Sequence, residues 1–238
     1  MNMPFYMGMD PLYIVIALVS AGLSMAAQTW VKSAFAKYSR MRNTQNLSGA
    51  EAAQLMLHAE GVDDVEIRRY NGGMLSDHFD PRQKVINLSP EVYDGRSVAS
   101  VGVACHEAGH ALQHAAHYTP LVLRSLLVGP TNIGSKLAIP LIIIGMVIGY
   151  LNLAKFGVVL FGVTLLFQLV TLPVEINASS RSKHALISHG IVNGEEARGV
   201  SAVLNAAAFT YVAAAVSSLM FLLYWAIRLG LLGGRSRD

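Results

Sequence analysis

Two histidines one helical turn apart with a glutamate between them, in Val103-Ala104-Cys105-His106-Glu107-Ala108-Gly109-His110-Ala111-Leu112, are the residues of this chain best suited to chemistry. On a helix, residues four apart share a face, so the imidazoles of His106 and His110 can converge on one zinc ion. Glu107 then stands beside the ion without binding it. That is where a general base takes a proton from an activated water and passes it to a leaving amine. The competing reading is two histidines merely satisfied inside a buried helix, and it leaves two imidazoles and a carboxylate buried at a cost that a metal would offset.

The element that must hold this group is a helix. Ser97 is its candidate N-cap, and Val98, Val101, Cys105, Ala108 and Leu112 recur at three- and four-residue steps. Ahead of it, residues 32 to 119 have the composition of a soluble domain. Ser48-Gly49-Ala50-Glu51 is a capping box, Leu55, Met56 and Ala59 follow at helical steps, and Gly61 ends that helix. Val65 to Tyr70 alternates like a strand, Asn71-Gly72-Gly73 reads as a turn, and Lys84 to Leu88 reads as a second strand. An exposed strand here would suit an extended peptide, which adds to a sheet edge by main-chain hydrogen bonds; the alternative is a hairpin that only covers the helix.

With 53% hydrophobic and only 14% charged residues among 238, the chain is too apolar for an ordinary soluble domain and reads as an integral membrane protein. The net charge of +3 gives no reason to invoke nucleic acid, because the basic residues flank apolar segments, where they serve as topology anchors. The single cysteine, Cys105, excludes an intrachain disulfide, and a reduced thiol beside the histidines fits a reducing compartment.

Pro11 to Val31 is long enough to cross a bilayer as a helix. A signal peptide is disfavoured, because no Lys or Arg precedes the run. Lys32, Lys37, Arg40 and Arg42 follow it, which puts this end in the cytoplasm and the amino terminus outside. Leu121 to Val128, interrupted by Arg124 and followed by Pro130, reads as an interfacial or re-entrant piece. Leu137 to Leu153 and Phe156 to Leu172 read as a hairpin of two short spans around Lys155, and Leu204 to Leu229 as the last span. Four spans place both termini on one side; Arg228, Arg235 and Arg237 argue against an outside carboxyl terminus, but the larger basic cluster after the first span is given more weight.

The hairpin returns the chain to the side of His106 and His110, where a zinc site needs a third protein ligand. Glu175 is the first acidic residue after that return, just past Pro173 at the apparent start of a new helix. It would complete a His₂Glu set with a fourth position left for water; the other reading is a first-turn glutamate complementing the helix dipole. His114 and His117 continue the same helix and cannot easily wrap around one tetrahedral ion, so they read as solvated or supporting residues. Arg181 and His184 share no helical face with Glu175 and receive no role. Glu195 and Glu196 read as surface residues at a helix start.

Leu75-Ser76-Asp77-His78-Phe79-Asp80-Pro81, Asn87-Leu88-Ser89, Tyr93, Arg96-Ser97-Val98, the H-E-x-x-H-A-x-Q stretch and Leu172-Pro173-Val174-Glu175-Ile176-Asn177-Ala178-Ser179 together resemble the YugP-type bacterial membrane zinc metallopeptidases, over nearly the whole chain. The resemblance implies a neutral zinc metallopeptidase, gluzincin-like, with Glu175 at the position of the downstream glutamate ligand. It also implies a bacterial inner-membrane location and a peptide or protein substrate, membrane proteins included. In the broader likeness, to the HtpX-like and CaaX-prenyl endopeptidases, the second motif is E-x-x-A-D. Here Ser179 replaces that aspartate, which removes a group expected to orient a zinc-bound histidine and leaves Asp77 or Asp80 as substitutes.

The expected architecture is a multi-pass α-helical membrane protein with a small zincin-like α+β metallopeptidase domain. Its parts are an amino-terminal tail and first transmembrane helix (1–31), the metallopeptidase domain (32–136), the transmembrane hairpin (137–172), a second active-site helix and loop supplying Glu175 (173–203), and the last transmembrane helix with a basic tail (204–238). An intramembrane site-2-type protease would need its motif inside a spanning helix and an aspartate in a later one, which the later spans lack. A non-catalytic zinc-binding membrane adaptor of the same fold is the alternative, and retention of Glu107 speaks against it.

Overall fold

Capping and turn chemistry set most of the short elements. The computed structural model describes residues 10–72 and 76–232. Part of the expected Asn71-Gly72-Gly73 turn, Leu75, Arg235 and Arg237 lie outside them. The chain is mostly helical, with helices α1 (Pro11–Tyr38), α2 (Gly49–Ala59), α3 (Pro90–Tyr93), α4 (Val98–Ala115), α5 (Thr119–Val147), α6 (Leu151–Ser188) and α7 (Gly194–Arg228). Strands β1 (Glu66–Arg69), β2 (His78–Asp80) and β3 (Val85–Leu88) form one small sheet. It divides into two compact units whose boundaries fall within α1, α5, α6 and α7.

One unit spans 27–122 and 173–209 and contains the sheet. Ser48 and Glu51 close the expected capping box on α2, and Gly61 leaves the helix at φ +74°. Ser97 caps α4 by accepting the Ser100 N–H at 3.0 Å. Met56 and Leu57 of α2, Ile86 and Leu88 of β3, and Val98, Val101 and Ala108 of α4 meet in one buried core. Each of the larger of these side chains contributes roughly 1.5–3 kcal/mol when removed from water.

The sheet order is β1-β3-β2, so the two strands expected as a hairpin are instead parallel neighbours, and an additional strand, β2, pairs antiparallel with β3. The true hairpin is β2–β3. Asp80 Oδ1 accepts the Arg82 N–H at 2.8 Å, and Lys84 takes a positive φ of 53° to close it.

The other unit spans described residues 10–26, 123–172 and 210–232. Its core gathers Ile142, Ala154, Val158, Tyr224 and Trp225, and the Tyr224 hydroxyl donates to Asp10 at 2.8 Å. Gly145 and Gly157 permit close helix approach here, since a Cβ at each would lie 2.4 Å from the Ala154 nitrogen and 2.7 Å from the Ala138 oxygen respectively.

Among the described residues four helices, α1, α5, α6 and α7, are long and apolar enough to cross a membrane. Their bounds correct the sequence reading. The segment 121–128 is no separate piece: α5 runs unbroken from Thr119 through Pro130 and Pro140 to Val147. The turn of the hairpin is at Ile148–Tyr150, with Gly149 at φ +74°, and Lys155 lies inside α6. Pro173 likewise starts no new helix, because α6 continues through it for 38 residues, about 57 Å. Long apolar helices tolerate proline where neighbouring groups satisfy the freed carbonyl.

Glu196 is also corrected. It is fully buried, accepting the Thr44 N–H at 2.6 Å and the Asn193 N–H at 2.8 Å, while Asn193 caps α7 in return. A reciprocal cap of this kind satisfies two helix-end donors and pins the loop after α1.

Candidate metal centre

Helix α4 carries His106 and His110 on one face, with ring centroids 4.8 Å apart and ring planes at 79°. The residue that lets a second helix reach them is Gly109. A Cβ there would lie 2.5 Å from the Ala178 carbonyl oxygen, so only a bare α-carbon admits the backbone of α6 at this depth. Glu175, three residues before Ala178, is thereby brought against both imidazoles.

Glu175 Oε2 lies 3.2 Å from His106 Nε2 and 3.5 Å from His110 Nε2. A tetrahedral site with metal–ligand distances of about 2.0–2.1 Å has ligand atoms about 3.3 Å apart. Both separations from Glu175 match that spacing, and the donor chemistry, two imidazole nitrogens and one carboxylate oxygen, suits zinc. Among the described residues they form the one His/Cys/Asp/Glu group with ligand atoms gathered within 4.8 Å. Because Glu175 lies deep within α6, the first-turn dipole reading of it does not hold.

Both imidazoles are turned by partners on their other nitrogen. His110 Nδ1 is 3.0 Å from Gln113 Oε1, and the Gln113 amide nitrogen donates to the Val174 carbonyl at 2.8 Å and to Asn177 Oδ1 at 3.0 Å. With both acceptors on the amide side, Gln113 must present its oxygen to His110, which places the proton on Nδ1 and the lone pair on Nε2. Arg181 extends the chain by donating to Asn177 Oδ1 at 2.9 Å. For His106, Nδ1 is 3.1 Å from Ser179 Oγ. Ser179 thus occupies the orienting position itself. Asp77 does not substitute, since it accepts the Ser89 N–H at 2.7 Å, and Asp80 is spent on its turn.

Glu107 is held from the sheet. Its Oε2 accepts the Phe79 N–H of β2 at 3.0 Å, so the main chain of the edge strand touches this carboxylate. Burial raises the Glu107 pKa, and the neighbouring charges of Glu175 and Asp77 add to the rise against the opposing pull of the two histidines. At His110 burial alone would lower the pKa, yet the carboxylates of Glu175 and Glu107 outweigh it and the net shift is upward. The Cys105 thiol is fully buried and its pKa is pushed up, which makes it an inert core group.

His114 and His117 are not brought into the group. The His114 ring packs 5.8 Å from that of Phe79, and His117 is exposed beyond the helix end at φ +49°. His184 is exposed as well. Sequence reasoning missed Gln113 and Asn177; the one local signal was Gln113 standing three residues after His110, where a helix places it alongside.

A curated relative, "Putative membrane protease YugP" of Bacillus subtilis (strain 168), is 46% identical over 212 residues, covering 89% of this chain and 94% of that protein. No solved structure matches. A family model described as "Putative neutral zinc metallopeptidase" matches residues 13–230, which include His106, Glu107, His110 and Glu175, and the chain belongs to that family.

Proposed function

We propose that this chain is a multi-pass membrane zinc peptidase with a zincin-like, gluzincin-type centre, in which His106 Nε2, His110 Nε2 and Glu175 Oε2 hold the ion and Glu107 moves the proton. The observation that carries the reading is the convergence of those three atoms beside a glutamate anchored by one oxygen to β2. Zinc bound there supplies Lewis-acid chemistry, lowering the pKa of water to about 7 and polarising the scissile carbonyl. The residues of the chain do the rest. Gln113 and Ser179 keep both Nε2 lone pairs on the site. Glu107 uses Oε2 for Phe79 and has its other oxygen for the proton of the attacking water, which it returns to the amine nitrogen as the C–N bond breaks. Burial, which raises its pKa, makes Glu107 a stronger base for accepting that proton.

The substrate in this reading is an extended peptide segment, membrane proteins included. β2 is an edge strand whose main chain already touches Glu107, so a segment laid along it has its peptide bonds beside the base. Lys32 and Lys37 near the end of α1, with Arg40 and Arg42 just after it, support a centre on the cytoplasmic side of a bacterial inner membrane.

The test is cleavage of casein or a peptide library by detergent-purified protein. Wild type is expected to cleave, to stop when stripped with a chelator and to recover with zinc, while Glu107→Gln stays inactive with zinc bound. Zinc binding without cleavage by wild type under any of these conditions favours the adaptor.

A further inference from the structure

A second concave feature lies in the unit that holds the metal centre, but none of the four residues of that centre lines it. It is a cavity of about 700 Å³ where α1 ends, within the size range of small-ligand sites. Arg40, Arg42 and Arg96 line it with Phe35 of α1 and Ser97, the cap of α4; Glu91 is the one acidic residue in its wall. Three guanidinium groups face one lining carboxylate, and with Glu51, which pairs with Arg96 at 2.9 Å, the net charge is one positive.

The walls are fixed by backbone. Arg42 and Ser97 form an antiparallel bridge, the Val98 N–H donates to the Met41 carbonyl at 2.8 Å, and the Asn43 N–H donates to the Arg96 carbonyl at 3.0 Å. Arg42 Nε is held by Asn46 Oδ1 at 2.9 Å, and Arg96 Nη1 by the Asn46 carbonyl and by Glu51 Oε2. These bonds use few of the five donors on each guanidinium. Arg40 has no hydrogen-bond or ion-pair partner among the described residues. A role as topology anchor accounts for basic residues after a span, but it does not account for three of them around a cavity.

The ligand chemistry follows from the lining. Guanidinium groups match phosphate oxygens in geometry as well as charge, and the amino-terminal turn of α4 adds the positive end of a helix dipole. Phe35 supplies an apolar wall on the α1 side. We infer that this cavity binds the phosphate of an anionic phospholipid headgroup at the cytoplasmic surface, with the acyl chain lying along α1. The inference rests on the reading of α1 as a membrane span.

Thermal unfolding of the full chain in neutral maltoside micelles tests it, with phosphatidylglycerol, phosphatidylcholine or inorganic phosphate titrated in. Phosphatidylglycerol is expected to raise the midpoint saturably and phosphatidylcholine not to. Arg40→Gln should weaken that response about fivefold, the loss of one basic side chain near an anionic lipid, and Glu91→Gln should strengthen it. Equal stabilisation by phosphatidylcholine, or an unchanged response in Arg40→Gln, overturns the site. Inorganic phosphate acting at concentrations as low as phosphatidylglycerol overturns the lipid as its ligand and leaves a free-phosphate site. Failure of the membrane reading shows separately, as release of the protein from membranes by alkaline carbonate.

Discussion

At Ser179 a hydroxyl stands beside a histidine where related peptidases are expected to carry a carboxylate, and the 3.1 Å contact to His106 Nδ1 shows that the orienting position is filled. Loss of such a partner typically costs 10- to 100-fold in metal affinity. Ser179→Ala is therefore expected to weaken zinc binding by about that factor in chelator competition, while Ser179→Asp, which restores the stronger acceptor, should bind at least as tightly as wild type. The buried Glu107 makes a pH-dependent prediction for the metal-free protein. Its folded pKa is raised, so its contribution to stability is present below the unfolded value and is lost as pH rises through the folded one. Glu107→Gln keeps the acceptor for Phe79 and has no charge to bury. It should unfold at a higher temperature than the metal-free wild type near neutral pH and above, with the gap closing in acid; a gap independent of pH in calorimetry would contradict this. The shared face of His106 and His110 was legible from spacing alone because α-helical periodicity is local. Gln113 and Asn177 were not, because their partners come from different helices and only the crossing of α4 and α6 joins them.

That crossing is the feature of the elements on which the centre depends. A methyl group at Gly109 meets a backbone oxygen at 2.5 Å, which cannot swing aside, whereas one at Gly102 meets Val200 at an ordinary 3.5 Å. Gly109→Ala should cost about 1–3 kcal/mol, on the order of 2–4 °C per kcal/mol for a chain of this size, and should lose zinc as Glu175 is pushed away. Gly102→Ala should be close to neutral in both stability and metal content. Thermal unfolding and metal analysis of the pair give the comparison. The caps at Ser48, Ser97 and Gly61 were readable because their partners lie within four residues. The pairing of β1 with β3 and the extension of α5 and α6 through three prolines were not. Strand direction is set by a long-range partner, and a proline inside an apolar helix is judged by its surroundings.

At the scale of the whole molecule, the proposed topology has α1, α5, α6 and α7 as spans, with the basic residues at the end of α1 in the cytoplasm. Cys105 is buried and should resist a membrane-impermeant maleimide, so it gives a quiet background for introduced cysteines. Tyr150 sits in the exposed turn between α5 and α6, and Gln83 in the exposed β2–β3 loop. Tyr150→Cys is expected to be labelled on intact cells and Gln83→Cys only after permeabilisation; the opposite pattern would invert the orientation. The membrane character was visible in composition, whereas the division into two units was not, because four continuous helices carry residues of both.

The most direct test of the account is zinc stoichiometry of purified wild type, Glu107→Gln and Glu175→Ala, with cleavage assayed on the same samples. The account predicts one zinc per chain in wild type and in Glu107→Gln, cleavage by wild type alone, and loss of zinc in Glu175→Ala. Full zinc retained in Glu175→Ala would contradict it, because the ion would then sit somewhere other than between α4 and α6.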